Sequence, residues 1–376
     1  MTKAALVWLG VMTLLAGCGS DSGESKTTSS PNYPAGQTTF TVSSGGRTLP
    51  VTLWYPASPE ASAAAKTGMP LENLEPEGSE ARATLAGLVA QAPDSCTRKT
   101  VHAVTDATPA LSNMPLIVFS HCHQCARFSE AVVAERLASE GFAVIAADHV
   151  GNTLYDHGGT VSQEWLTTRV GDVEALLAAA LNPSSSEIPE SLRGKFDPNK
   201  VAMFGHSFGA VTTAKVVSTN DRIKSAFLMA APMSVVANVD SSTIHKPLGF
   251  LLAQEDNSIL EIGNDLIRTD FDKSNSPSYL VEVADAGHWS FSDIAGLEPT
   301  GQTNGQAGFM AGCGTGKRGS SGREGEEFTY LDNDEAREIA AARVAGFFRQ
   351  TLLGDASGLS DLTSAEPKGI VTVSSH

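Results

Sequence analysis

One pentapeptide, Gly205-His206-Ser207-Phe208-Gly209, restricts the folds open to this chain more than any other stretch. It has the pattern GxSxG. A short apolar run, Val201–Phe204, precedes it, and a small-residue segment with helical character, Ala210–Val217, follows it. Strand, tight turn and helix are the setting in which such a serine becomes a nucleophile. The serine occupies a strained turn that exposes its Oγ at the carboxyl end of the strand. Glycines flank it because the strand and helix backbones pass too close there for a Cβ.

A serine hydroxyl attacks only when a base takes its proton, and the base needs an acid to orient it. Around an elbow of this kind the partners follow in the order Ser, acid, His. Three histidines lie downstream of Ser207. His376 is the last residue. His245 precedes Lys246-Pro247 and an apolar run, which puts it at a strand entrance. His288 follows the alternating strand Tyr279–Val283, in the loop Ala284-Asp285-Ala286-Gly287-His288-Trp289, and is the candidate base. The acid is expected at the end of the strand Leu248–Ala253, where Asp256 is the candidate and Glu255 the reserve. Asp285, beside His288, is expected to shape the turn.

Residues 1–18 read as a targeting segment. Lys3 gives a positive start, and Ala4–Leu15 is an apolar core too short to span a bilayer. Leu15-Ala16-Gly17-Cys18 resembles a bacterial lipobox, which implies a diacylglyceryl group on Cys18 and an exported protein anchored by lipid to the cell envelope. Residues 19–36, rich in Ser, Thr, Gly and Pro, read as a flexible tether. The remaining roughly 340 residues suit one large α/β domain, 37–355, with a tail over 356–376. The net charge of −16 argues against nucleic acid and against adhesion to anionic lipid surfaces.

Within that domain Phe40–Val42 and Leu49–Pro56 read as an antiparallel hairpin around Ser43–Arg47. An interruption follows over 57–113, with helical spacing at Leu74, Leu85, Leu88 and Val89. It reads as an insertion, either a lid over the site or an edge decoration. Pro115–Ser120 and Phe142–Ala147 are continuous apolar runs, the mark of buried parallel strands. Helices are expected over Phe128–Glu140, Val161–Leu181 and Asn333–Leu353, and another strand over Phe227–Ala230. The alternation indicates a mostly parallel sheet with helices on both faces.

His121-Cys122-His123-Gln124-Cys125 has metal-ligand chemistry, but a second half-site is missing, and adjacent ligands on one loop do not converge into a tetrahedron. No metal is expected. Around a serine elbow of this kind the loop after the strand Pro115–Ser120 is expected to supply one oxyanion N–H, and the residue after the nucleophile the other. Here these are His123, with Cys122 as the neighbouring alternative, and Phe208. An exported chain meets an oxidising compartment, so Cys96, Cys122, Cys125 and Cys313 are expected to form two disulfides. Of the three pairings, Cys122–Cys125 with Cys96–Cys313 is favoured.

Gly205–Gly209, the spacing from Ser207 to Asp256 and His288, and the passage Glu135–Phe142 leading into an apolar strand together resemble the α/β-hydrolase superfamily. The resemblance is to its branch of dienelactone-hydrolase-like proteins, polyesterase cutinases and platelet-activating-factor acetylhydrolases. It covers about residues 40–353, apart from 57–113 and 291–330. It implies a serine carboxylic ester hydrolase working through an acyl-enzyme, with no cofactor and with an ester substrate that is a small molecule, a lipid or a polymer. Cys122 and Cys125 stand where cutinase-like enzymes carry glycine, and Ala230-Ala231 stands where the acetylhydrolases place their acid. Lipase, phospholipid acetylhydrolase and polyesterase are the alternatives within the class. Outside it stand a non-catalytic surface-binding lipoprotein and an exported thiol-redox or metal protein using the His121–Cys125 loop.

Overall fold

The computed structural model describes residues 1, 32–156, 159–297, 312–364 and 369–376. Cys18 and the rest of the targeting segment lie outside the described residues.

The hairpin is longer than its apolar pattern: β1 (Ala35–Ser44) pairs with β2 (Arg47–Pro56) along its whole length. Gly45 and Gly46 make the turn in the positive-φ region that glycine tolerates. The 57–113 insertion holds α1 (Ser62–Thr67), the paired short strands β3 (Met69–Pro70) and β4 (Thr100–Val101), α2 (Glu80–Gln91), and β5 (Val104–Thr105). β5 adds parallel to β1, so the insertion ends as part of the main sheet.

The apolar runs become β6 (Met114–Ser120) and β7 (Ala143–Ala147), joined by α3 (Ala131–Ser139). Then come α4 (Gln163–Leu181), β8 (Phe196–His206), α5 (Phe208–Thr219), β9 (Ile223–Met229), β10 (Leu248–Ala253), α6 (Leu260–Lys273) and β11 (Ser278–Val283). A small hairpin, β12 (Thr315–Lys317) and β13 (Glu327–Thr329), precedes α7 (Asn333–Phe348), which runs on through a π turn to Leu353. Residues 356–376, read from sequence as a tail, contain α8 (Ala356–Thr363) and β14 (Val371–Ser375). β14 pairs antiparallel with β11 at one sheet edge. A five-residue strand beyond the last long helix has too short a pattern to stand out in the sequence.

The ten-stranded order is β14-β11-β10-β9-β8-β6-β7-β2-β1-β5. β7, β6, β8, β9, β10 and β11 are mutually parallel, so their carboxyl ends share one rim. Helices cover both faces, as buried apolar strands require. On one face, α3, α7 and the insertion pack over Ile117, Phe119, Phe204 and Phe227. On the other, α4, α5 and α6 pack over Leu116, Val118, Met203 and Phe250.

Candidate active site

Ser207 sits between β8 and α5 with φ 54° and ψ −121°. A non-glycine residue at positive φ is strained, and it persists only where its surroundings fix it. The surroundings are backbone: Ser207 N–H donates to Met229 O on β9 at 2.8 Å. A Cβ at Gly205 would overlap the Gly209 carbonyl, and one at Gly209 would overlap the Ser120 carbonyl at the end of β6. The two glycines thus let α5 start hard against both strands.

The structure brings Asp256 and His288 together. Asp256 Oδ2 accepts from His288 Nδ1 at 2.7 Å, and both side chains are buried. Asp256 Oδ1 takes the amides of Ser258 at 2.8 Å and Ile259 at 3.0 Å, which pins the carboxylate at the turn into α6. His288 is held by a second imidazole: His206 Nε2–H donates to His288 O at 3.0 Å, with the rings 5.0 Å apart. This contact brings the His288 loop against the residue preceding Ser207. The Ser207 Oγ–His288 hydrogen bond is not itself formed among the described residues, and such contacts are often long before substrate binds.

Glu255, the reserve acid, points elsewhere. Its carboxylate takes Arg318 Nη1 at 2.7 Å, Ser320 Oγ at 2.8 Å and Gly319 N–H at 2.9 Å. Burial pushes its pKa up, but these donors outweigh burial and hold it below the usual carboxylate range. Glu255 fastens the β12–β13 hairpin to the acid loop. Asp285 pairs with the same Arg318 at 2.6 Å and adopts φ 55° in its turn.

The loop after β6 packs beside the elbow. The structure joins Cys122 to Cys125 and Cys96 to Cys313. Cys122 and Cys125 are therefore spent on each other, while His121 and His123 turn to different partners. His121 Nδ1 meets Cys122 O at 2.7 Å, and His123 Nδ1 takes Asn152 Nδ2 at 2.9 Å. The His123 ring lies edge-on to Phe208 at 6.1 Å. Among the described residues, no group accepts from the N–H of His123 or of Phe208. Burial, followed by the charge of Arg169, keeps the His123 pKa below the ordinary imidazole value.

The insertion does not line the cavity beside Ser207. That cavity, about 320 Å³, is bounded by Ser207, Phe208, Val211, Val236, Ile262 and Leu266 among others, on the α5–α6 side. The insertion packs instead behind the His288 loop. Thr97 Oγ1 donates to Ala295 O at 2.6 Å, Arg98 pairs with Asp293 at 3.1 Å and with Glu135 at 2.6 Å, and Arg337 Nη1 donates to Cys96 O at 2.8 Å. The Cys96–Cys313 bridge ties this buttress to the chain just before β12.

Sequence reasoning missed Arg169, which is fully buried in α4 beneath the His121–Cys125 loop. The available signal was its place on the buried stripe with Leu166, Val173 and Leu177, where an arginine is costly unless it has partners.

A family model described as serine aminopeptidase, S33, matches residues 115–258, from β6 to just past Asp256. Platelet-activating factor acetylhydrolase of Cavia porcellus is 25% identical over 215 residues, covering 48% of this chain and 48% of that protein. The Bos taurus protein of the same name is 26% identical over 174 residues, covering 36% of this chain and 39% of its own. The match therefore spans about half the length of these relatives or less. A ferulic acid esterase from Streptomyces cinnamoneus superposes with a TM-score of 0.63 at 21% identity, covering 90% of this chain and 96% of that one, which shows a common fold.

Proposed function

We propose that this chain, which has the α/β-hydrolase fold, is a serine carboxylic ester hydrolase. The observation that carries the reading is the buried Asp256–His288 pair beside a strained serine that opens onto an apolar cavity. Ser207 Oγ attacks the ester carbonyl while His288 takes its proton. Asp256 holds the imidazole tautomer and stabilises the imidazolium. The N–H groups of Phe208 and His123 receive the oxyanion. His288 returns the proton to the departing alcohol, leaving an acyl-Ser207. Water, deprotonated by His288, then releases the acid and restores the serine.

The cavity supports an apolar acyl group on the substrate, because Val211, Val236, Ile262 and Leu266 offer it no polar partner. Phospholipid acetylhydrolase, lipase and polyesterase action are narrower forms of the same reading, and the acetylhydrolase and esterase relatives agree with an ester substrate. Fluorophosphonate labelling tests the reading: one adduct by intact mass, absent in Ser207→Ala, is expected. An unlabelled but folded protein that also leaves p-nitrophenyl esters intact would overturn it.

We also propose that Cys18 carries a lipid anchor at the cell envelope, on the strength of Leu15-Ala16-Gly17-Cys18. Palmitate fed to expressing cells should label the protein and leave Cys18→Ala unlabelled. Equal labelling of the two would overturn the anchor.

A further inference from the structure

Beneath the rim lies a second serine–histidine–aspartate series. Ser120 Oγ is 2.9 Å from His149 Nε2, and His149 Nδ1 is 2.9 Å from Asp172 Oδ2. Asp172 Oδ1 takes the Ser44 hydroxyl at 2.7 Å and also pairs with Arg47. Ser120, His149 and Asp172 are all buried, and none of them lines the cavity beside Ser207. A serine that no substrate reaches is not a nucleophile, so this chain of polar groups needs another purpose.

The series continues to the loop that flanks Ser207. His149 N–H donates to His121 Nε2 at 3.0 Å. With Nε2 accepting, His121 carries its proton on Nδ1 and gives it to Cys122 O at 2.7 Å. Arg169 reaches the same place from α4. Its Nη1 donates to His121 O at 2.5 Å, and its Nη2 donates to Cys122 O at 2.9 Å. Asn152 Oδ1 receives Arg169 Nε at 3.1 Å, while Asn152 Nδ2 contacts the His123 ring. The guanidinium also lies 4.6 Å over the Phe208 ring. Two consecutive carbonyls are thus drawn into the buried layer.

In a planar trans peptide, the C=O of one residue and the N–H of the next point in opposite directions. Fixing Cys122 O downward turns the His123 N–H the other way, and fixing His121 O does the same for the Cys122 N–H. We propose that Arg169, with His121 and the His149–Asp172 pair behind it, is a positioning device that aims the oxyanion-loop N–H groups at the reaction centre. The device rests on the ester-hydrolase reading of Ser207. Preorganised donors are worth most when they need not turn during the reaction, and a buried clamp supplies that rigidity. Burial keeps His121 and His149 well below the ordinary imidazole pKa, with the Arg169 charge acting in the same direction, so each keeps a single neutral tautomer at physiological pH. The guanidinium, hydrogen-bonded directly to the loop carbonyls, adds positive potential where the oxyanion forms.

The test separates aim from substrate binding. Arg169→Met and Arg169→Lys are compared with the full-length wild type on p-nitrophenyl butyrate and for inhibition by an aryl trifluoromethyl ketone. Ser207 Oγ adds to the ketone carbon, His288 keeps the proton, and the new oxyanion occupies the same N–H groups as the ester intermediate. In Arg169→Met, kcat should fall about 10- to 100-fold, KM should change by less than about twofold, and ketone affinity should fall in parallel with kcat. Arg169→Lys, which keeps the charge and one carbonyl contact, should fall between. If Arg169→Met does not fold, Asn152→Ala and Arg169→Lys carry the same comparison, with smaller but parallel losses in kcat and ketone affinity. A folded variant with undiminished kcat, or a loss confined to KM with ketone affinity intact, overturns the device. A wild-type protein inert to the ester and to fluorophosphonate would overturn the ester-hydrolase reading, and the device with it. An active wild type with an unimpaired Arg169→Met overturns the device alone.

Discussion

Asp256 meets His288 Nδ1 at 2.7 Å, and Asp172 meets His149 Nδ1 at 2.9 Å. Both imidazoles are buried, both have a carboxylate on the same ring nitrogen, and both stand close to a serine at the carboxyl end of a parallel strand. They differ in what surrounds the serine. Ser207 is forced to positive φ by the close approach of β8 and α5 and opens on an apolar cavity. Ser120 continues β6 in a regular strand with its hydroxyl committed to His149. On the ester-hydrolase reading proposed above, Ser, His and Asp in hydrogen-bonding order do not by themselves make a catalytic site. Exposure of the nucleophile and room for a carbonyl beside it separate an active site from a scaffold. The handedness of the turn at Ser207 supplies both.

The sharpest way to break this comparison is to remove each serine. Ser207→Ala should lower kcat by about five to six orders of magnitude with the fold intact by circular dichroism. Ser120→Ala should lower it by no more than about tenfold, since its hydroxyl acts only through His149. A dead Ser120→Ala that still folds, beside an active Ser207→Ala, would reverse the assignment.

Next in size come the two carboxylates. Asp256→Asn should cost about 10⁴ in kcat, because the amide favours the wrong imidazole tautomer. Asp172→Asn should cost less than tenfold in kcat but about 1–3 kcal/mol of stability, measured by urea unfolding, because Ser44, Arg47 and His149 lose a buried acceptor. Glu255→Gln serves as the control at the rim. It loosens the Arg318 hairpin, so a modest loss of melting temperature is expected without the large loss in kcat.

The disulfides sharpen the same division between outer frame and inner clamp. Cys96–Cys313 closes 217 residues, worth about 5 kcal/mol in the chain-entropy model, whereas the three-residue separation of Cys122–Cys125 is worth about 2 kcal/mol. Cys96→Ser with Cys313→Ser should therefore lower the melting temperature more. Cys122→Ser with Cys125→Ser should lower kcat more, because that bridge lies in the loop that carries the His123 N–H. Because the insertion lies off the cavity, neither pair of substitutions should shift acyl-length preference.

The smallest expected effect lies in the cavity itself. Each methylene buried there should raise kcat/KM by up to about fourfold until the space is filled. Val211→Phe should end that rise at a shorter acyl chain, read from a series of p-nitrophenyl esters. An unchanged optimum would place the acyl group elsewhere on the rim.

Much of this molecule is legible in the residues alone, for a local reason. Gly205 and Gly209 bracket Ser207 because two backbones meet there, and that requirement is written within five residues. Val201–Phe204 and Leu248–Ala253 read as buried strands because burial on both faces leaves an unbroken apolar run, so the ends of those strands, and with them Ser207 and Asp256, were locatable by counting. His288 followed from its place after an alternating strand. The remaining choices belong to tertiary structure, because they are made by partners far away in the chain. Glu255 and Asp256 are adjacent, and the β12–β13 hairpin, through Arg318, Gly319 and Ser320, takes the first and leaves the second to His288. The helical spacing of the insertion suits either a lid or an edge decoration, and its contacts with Asp293 and Ala295 set it behind the His288 loop as a buttress. Arg169 looks like any arginine in a helix until α4 is laid under the His121–Cys125 loop. Backbone chemistry at a turn is set by neighbours along the chain, so the sequence determined it. The partner of a buried charge is set by which elements the sheet order brings together, and that was decided only when the chain had folded.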